Sequence, residues 1–235
     1  MFYLNFRNVS TAVSNTELQA FLEDFQSQVS NEFVQAWGVD ANVITGAGWP
    51  ITITDYPGPN DPPFALGYHS IDQYFTPYGV VFAQLAMDYG FSWTSVASHE
   101  GLEILADPLI DSTIFIDTSG GQGTSGFLIA QEVCDAPENL SYPGAINGTA
   151  LSDFVYPQWF FPGYVGKVDY LGQVPGPLQL VSGGYVSYDL IFQASGWQQA
   201  SADKIKEAAQ QIKQRPRTVH YLPKELIPQD SAPVK

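Results

Sequence analysis

Apolar and polar positions follow two different periods along the first hundred residues. Phe2-Tyr3-Leu4-Asn5-Phe6 reads as an opening strand. Ser14-Asn15-Thr16-Glu17 then has the Ser-x-x-Glu form of a capping box. Behind it Leu18, Phe21, Leu22, Phe25, Val29, Phe33 and Trp37 recur at helical spacing, and Gly38 ends the run. The pattern predicts a core-covering helix over 15–37. Short apolar runs at 42–45, 50–54, 64–69 and 80–85 follow, separated by turn residues, and read as strands of one sheet. The insert Tyr56-Pro57-Gly58-Pro59-Asn60-Asp61-Pro62-Pro63 is a loop, because proline cannot continue a ladder. From Thr94 to Ala106 the period is helical again, and Pro108 stops the helix at Asp107.

The second half is rich in Gly and Pro, with strand candidates at 114–117, 127–134, 150–156 and 178–188. The loop 119–126 has no Lys-Ser/Thr ending and opens no helix, so it is a connector and no phosphate cradle. A short helix is predicted over 201–214, with Ile205, Ala208, Ala209 and Ile212 as a thin stripe. Pro216, Pro223, Pro228 and Pro233 then punctuate an extended arm. The expected fold is α+β. A mixed, mostly antiparallel sheet packs on helix 15–37 and on helix 94–106, followed by a β-rich second half. Residues 1–198 form one domain in this reading and 199–235 the arm; the alternative makes 109–198 a separate small β domain.

Charge changes the picture of partners. The 235 residues carry 24 acids against 9 Lys and Arg, a net −15, which excludes nucleic acid as a partner for the bulk of the chain. Only Arg7 and Lys167 precede residue 199, leaving the body at −18 and the last 37 residues at +3. Such a tail either folds back on its own body or docks on an acidic neighbour, a second copy or another subunit of an assembly. A basic n-region with an apolar h-region is missing at the start, and no run reaches the ~18 apolar residues of a membrane span. The expectation is a soluble protein without a signal peptide and without a membrane partner. Cys134 is the single cysteine, which excludes intramolecular disulfides and multi-cysteine zinc sites.

His99-Glu100-Gly101-Leu102-Glu103 is the one segment whose residue types and spacing call for chemistry. On a helix, positions i and i+4 share a face, so His99 and Glu103 can reach one metal ion together. Glu100 then lies over the open coordination position as a general base. This is the geometry of the His-Glu-x-x-His zinc peptidases with the second His replaced by Glu. Nitrogen and carboxylate oxygen suit Zn²⁺, while the extra carboxylate leans toward harder cations such as Ca²⁺. The flanks Val96, Ala97, Leu102, Ile104 and Leu105 are apolar, which sets the segment apart from a solvated charge run. Gly101 costs ~1 kcal/mol against Ala inside a helix, and fits a place where something approaches the backbone closely.

Asp107 lies about 12 Å further along the same helix and caps or braces its end. Glu132 is the expected third ligand, with Asp135 the next choice. Cys134 between them reads as a buried small hydrophobe. His69, in Gly67-Tyr68-His69, is a ligand, a hydrogen-bond donor to a reacting oxyanion, or a satisfied core histidine. His220, in the charged tail, is read as ordinary.

Four blocks resemble a family of bacterial and phage proteins. They are Gly67-Tyr68-His69, the run from Ser98-His99-Glu100 through Leu102-Glu103 to Asp107-Pro108, Glu132-Val133-Cys134-Asp135, and Leu151-Ser152-Asp153-Phe154 continued by Tyr156-Pro157-Gln158-Trp159-Phe160. The resemblance spans about residues 40 to 190 and leaves the tail uncovered. The family is similar to zincin-type metallopeptidases, which implies a zincin-like fold, His99 and Glu103 as ligands and Glu100 as base. Two functions are carried forward. One is a zincin-like, zinc-dependent hydrolase acting on peptides through a metal-activated water, with Glu100 and His69 as its catalytic side chains. The other is a phage virion component on the same fold, with a decayed or structural metal site and an arm that docks on neighbouring subunits. The corresponding locations are a bacterial cytoplasm or a phage particle.

Overall fold

The computed structural model describes residues 2–62, 65–119, 121–190 and 196–201. In chain order the elements are β1 (Phe2–Asn8), α1 (Asn15–Gln28), a π-helical turn (Val29–Phe33), α2 (Val34–Trp37), β2 (Ala41–Ile44), β3 (Trp49–Thr54), β4 (Gly67–Ile71), β5 (Pro77–Phe82), α3 (Ala83–Asp88), α4 (Trp93–Ala106), β6 (Thr113–Asp117), β7 (Gly126–Ala130), β8 (Ser141–Pro143), β9 (Ala150–Ser152), a 3₁₀ turn (Pro157–Phe160), β10 (Tyr185–Asp189) and β11 (Trp197–Ser201). This is a mixed α and β protein, compatible with α+β. The chain divides into two units. The first is Met1–Ile110 with Leu140–Phe154, and the second is Asp111–Asn139 with Val155–Lys235. Among the described residues no helix is long and apolar enough to cross a membrane.

The first unit is built on a five-stranded sheet of order β2-β1-β3-β5-β4. β1 pairs parallel with β2 and with β3, β3 pairs parallel with β5, and only β4 runs antiparallel, against β5. The expectation of a mostly antiparallel sheet is therefore corrected here. Alternation of apolar residues fixes which face of a strand is buried but is the same for either strand direction. Direction follows from the connections, and the helical segments between β1 and β2 return the chain so that both strands run the same way.

The segment after the capping box is also not one α-helix over 15–37. Ser14 accepts the Glu17 N–H and Glu17 accepts the Ser14 N–H, so the start is as the sequence predicts. After Gln28 the helix widens into the π turn before α2. The apolar spacing explains this. Phe25, Val29, Phe33 and Trp37 are each four apart, and every such step overshoots a 3.6-residue turn by about 40°. A wider turn absorbs that drift, and Phe25, Val29 and Phe33 all stay 0% exposed.

α1 packs its apolar face on the sheet. Phe6 of β1 meets Phe21 and Phe25 edge-on at 5.2 and 5.7 Å, and Phe21 also meets Trp93 at the start of α4. Such pairs add about 0.5–1.5 kcal/mol each beyond their area burial. The β8–β9 hairpin belongs to this unit: Gln28 Nε2 donates to the Ser152 carbonyl at 2.8 Å and to Tyr142 Oη at 2.8 Å.

The second unit holds a four-stranded antiparallel sheet of order β11-β10-β7-β6. Two of its predicted strands are shorter than expected. Residues 131–139 turn away after β7, and the run 178–188 becomes strand only from Tyr185, in β10, after Gly183 takes φ +91°. The loop after β6 is held by Asp117, which accepts the N–H groups of Ser119 and Gly121. Residues 199–201 lie in β11. The rest of the predicted arm, with the 201–214 helix beyond Ser201 and His220, lies outside the described residues.

Candidate functional site

Helix α4 is buried nearly all round, including its polar residues Thr94, Ser98, Glu100 and Glu103. Short hydroxyl side chains lock it in place. Ser92 caps the start by accepting the Thr94 N–H, and Thr94 Oγ1 donates to the Ala150 carbonyl at 2.7 Å. Ser98 Oγ accepts the Ser152 N–H at 2.7 Å while donating to the Ser95 carbonyl. These bonds tie α4 to β9 and leave its opposite side to β4 and β5. Asp107 is the C-cap residue, with its N–H on the Glu103 carbonyl at 2.8 Å.

Two imidazoles meet Glu103 or its neighbour Glu100. His99 Nε2 lies 3.2 Å from Glu103 Oε1, one helical turn away. His69, on β4, turns its Nδ1 toward both acids of α4, 3.1 Å from Glu100 Oε2 and 3.3 Å from Glu103 Oε2. Glu103 is 2% exposed and Glu100 6%. A buried carboxylate needs a cation or several hydrogen-bond donors. Arg7 is the only Lys or Arg of this unit, and it is exposed on β1. The positive partners the unit itself offers at the two acids are therefore the imidazoles, or an ion that these groups would bind.

Two glycines set the approach. A Cβ on Gly67 would come within 2.8 Å of Glu100 Oε1 and 2.7 Å of Val96 Cγ1, so a bare backbone lets β4 lie this close to α4. Gly67 and His69 are two residues apart on a strand and point to the same side, toward α4. That spacing is the signal in the sequence that could have joined His69 to the helix. A Cβ on Gly101 would lie 2.6 Å from Phe25 Cζ. The close approach expected at Gly101 is thus made by the Phe25 ring of the core. Tyr68, on the other side of β4, donates its hydroxyl to Asp61 at 2.7 Å; burial and that carboxylate push its pKa up.

The other predicted residues, Glu132, Cys134 and Asp135, belong to the second unit. Glu132 is half-buried just after β7. Asp135 is 4% exposed, and its carbonyl accepts the N–H groups of Tyr185 and Glu138. Cys134 is fully buried.

No protein-family model, no curated protein and no solved structure matches this chain.

Proposed function

We propose that the protein is a divalent-metal-dependent hydrolase acting on peptides, with zinc as its first choice of ion and another divalent cation such as calcium as the alternative. One observation carries the reading: the buried Glu103 carboxylate faces an imidazole nitrogen of His99 and one of His69, with Glu100 beside it, in a unit whose single Lys or Arg is exposed. The donor set fits the ion. Imidazole nitrogen and carboxylate oxygen are the ligand types of catalytic zinc sites, and the helical His-Glu-x-x-Glu spacing delivers two of them to one face.

In this reading His99 and Glu103 hold the ion. A zinc ion there supplies a Lewis acid for a carbonyl and lowers the pKa of water toward ~7. Glu100 accepts the proton of the attacking water and returns it to the departing nitrogen. Buried α4 and its hydroxyl ties keep both acids from swinging out to solvent. β4 is the terminal strand of its sheet, so among the described residues of the unit one of its edges has no strand partner. An extended peptide pairing there would run past His69 toward Glu100, which favours peptide over other substrates of hydrolysis.

The test uses the full-length protein, analysed for metal and incubated with zinc and a degenerate peptide library read by mass spectrometry. Wild type is expected to hold zinc and to cleave; Glu100→Gln is expected to hold zinc without cleaving, and His99→Ala to lose the ion beside residue 99 and cleavage with it. A wild-type protein that binds no divalent cation overturns the reading.

A further inference from the structure

Resting on that reading, we propose that the site takes two divalent cations, bridged by the Glu103 carboxylate, one beside His99 and one beside His69. The two oxygens of Glu103 do not converge on one nitrogen. Oε1 faces His99 Nε2 at 3.2 Å and Oε2 faces His69 Nδ1 at 3.3 Å. A carboxylate that offers each oxygen to a different imidazole is arranged as a bridge and not as a chelate. With one ion between His99 and Oε1, the second oxygen stays buried and anionic, still directed at His69.

His69 is over-supplied with acceptors for a single proton. Its Nδ1 meets Glu103 Oε2 and also Glu100 Oε2 at 3.1 Å. One nitrogen carries at most one N–H, which serves one of these oxygens well and the other poorly. A cation between Nδ1 and Glu103 Oε2 satisfies both and leaves Glu100 Oε2 to accept a proton. The separations agree with this, since neighbouring ligands around a tetrahedral zinc with bonds of about 2.0–2.1 Å lie about 3.3 Å apart.

Charge points the same way. Two buried carboxylates lie together in a unit with no buried Lys or Arg among its described residues. A second divalent ion supplies the compensation that one ion shared with a single imidazole leaves incomplete. Paired ions about 3.5–4 Å apart clamp both the attacking and the leaving atom in other hydrolytic sites. Glu100 adjoins the His69 side of the bridge and keeps its role as proton acceptor.

Metal stoichiometry separates this proposal from the reading beneath it. Chelator-stripped full-length protein is titrated with zinc chloride by calorimetry, and the zinc retained after gel filtration is counted. Two ions per chain are expected for wild type, one for His69→Ala and one for His99→Ala. One ion in wild type that persists in His69→Ala overturns the paired site and leaves the single-ion reading standing. Two ions that both persist in His69→Ala also overturn it. No bound zinc overturns both. Electron paramagnetic resonance of the wild-type protein with two equivalents of Mn²⁺ needs no variant. A spin-coupled spectrum with halved hyperfine spacing supports the bridge, and the six-line signal of isolated ions contradicts it.

Discussion

Asp24 and Glu103 are both acids on helices of the same unit, 0% and 2% exposed, yet their oxygens meet different chemistry. Asp24 Oδ1 accepts the N–H groups of Ile146 and Asn147 at 2.7 and 2.9 Å, and Oδ2 accepts the N–H and hydroxyl of Thr149, both at 2.8 Å. Burial alone would push this carboxyl up, but the backbone and hydroxyl donors outweigh it and hold the pKa below the ordinary value. Those donors are fixed parts of the 144–149 turn, and Gly144 packs against the carboxylate where a Cβ would lie 2.3 Å from its Cγ. Glu103 faces imidazole nitrogens, which can exchange a proton for a metal ion. Burial is common to the two sites. The donors differ, and they separate an anchor from a candidate reactive centre.

The comparison breaks most sharply at Glu100. Glu100→Gln is expected to lower turnover by about 10²–10⁴-fold with zinc content unchanged, as measured by single-turnover peptide cleavage. Asp24→Ala should do the reverse. It leaves three part-buried N–H groups without their acceptor, so denaturant unfolding should show a loss of about 1.5–3 kcal/mol, with zinc affinity kept. Gly67→Ala sharpens the distinction within the site. A Cβ pressed on Val96 Cγ1 and Glu100 Oε1 should lower the melting temperature and cut kcat of the protein that stays folded by roughly tenfold to a hundredfold. At Gly101 the contact is core, so Gly101→Ala should cost stability. The ~1 kcal/mol gained in helix propensity is outweighed by pressing the Phe25 ring, for a net loss of about 1–2 kcal/mol.

The smallest effect lies at Asp55. Hydrogen bonds from the Ser10 and Thr11 hydroxyls, with the N–H groups of Thr11 and Ala12, pull its pKa down to about 2. A depressed folded-state pKa means stability that is present above the unfolded value near ~3.9 and is lost as pH falls from there toward 2. Asp55→Asn should therefore flatten the acid limb of a melting-temperature profile in that window, lying slightly below wild type above pH 5 and meeting it near pH 2.

Much of this was legible in local sequence. The capping box of α1, the extent of α4 and the His99–Glu103 pairing follow from spacing over four residues, where helix geometry leaves little choice. Strand direction was not legible, because β1, β3 and β5 alternate in the same way whether parallel or antiparallel. The boundaries of the units were hidden for another reason. Residues 140–154 return to the first unit through partners such as Asp24 with Thr149 and Gln28 with Ser152, more than 120 positions apart. No local pattern encodes contacts of that range. His69 fell between these cases: Gly67-x-His69 marks one face of a strand, but only the hairpin pairing of β4 with β5 brings that face to α4.

Thermal unfolding with and without zinc, for wild type, Glu103→Gln and Asp24→Asn, tests the central contrast most directly. An ion held at one hundred times its Kd stabilises the folded state by about 2.7 kcal/mol. Zinc is expected to raise the melting temperature of wild type and of Asp24→Asn by similar amounts and to leave Glu103→Gln where it was. An equal rise in all three proteins, or none in wild type, would contradict that contrast.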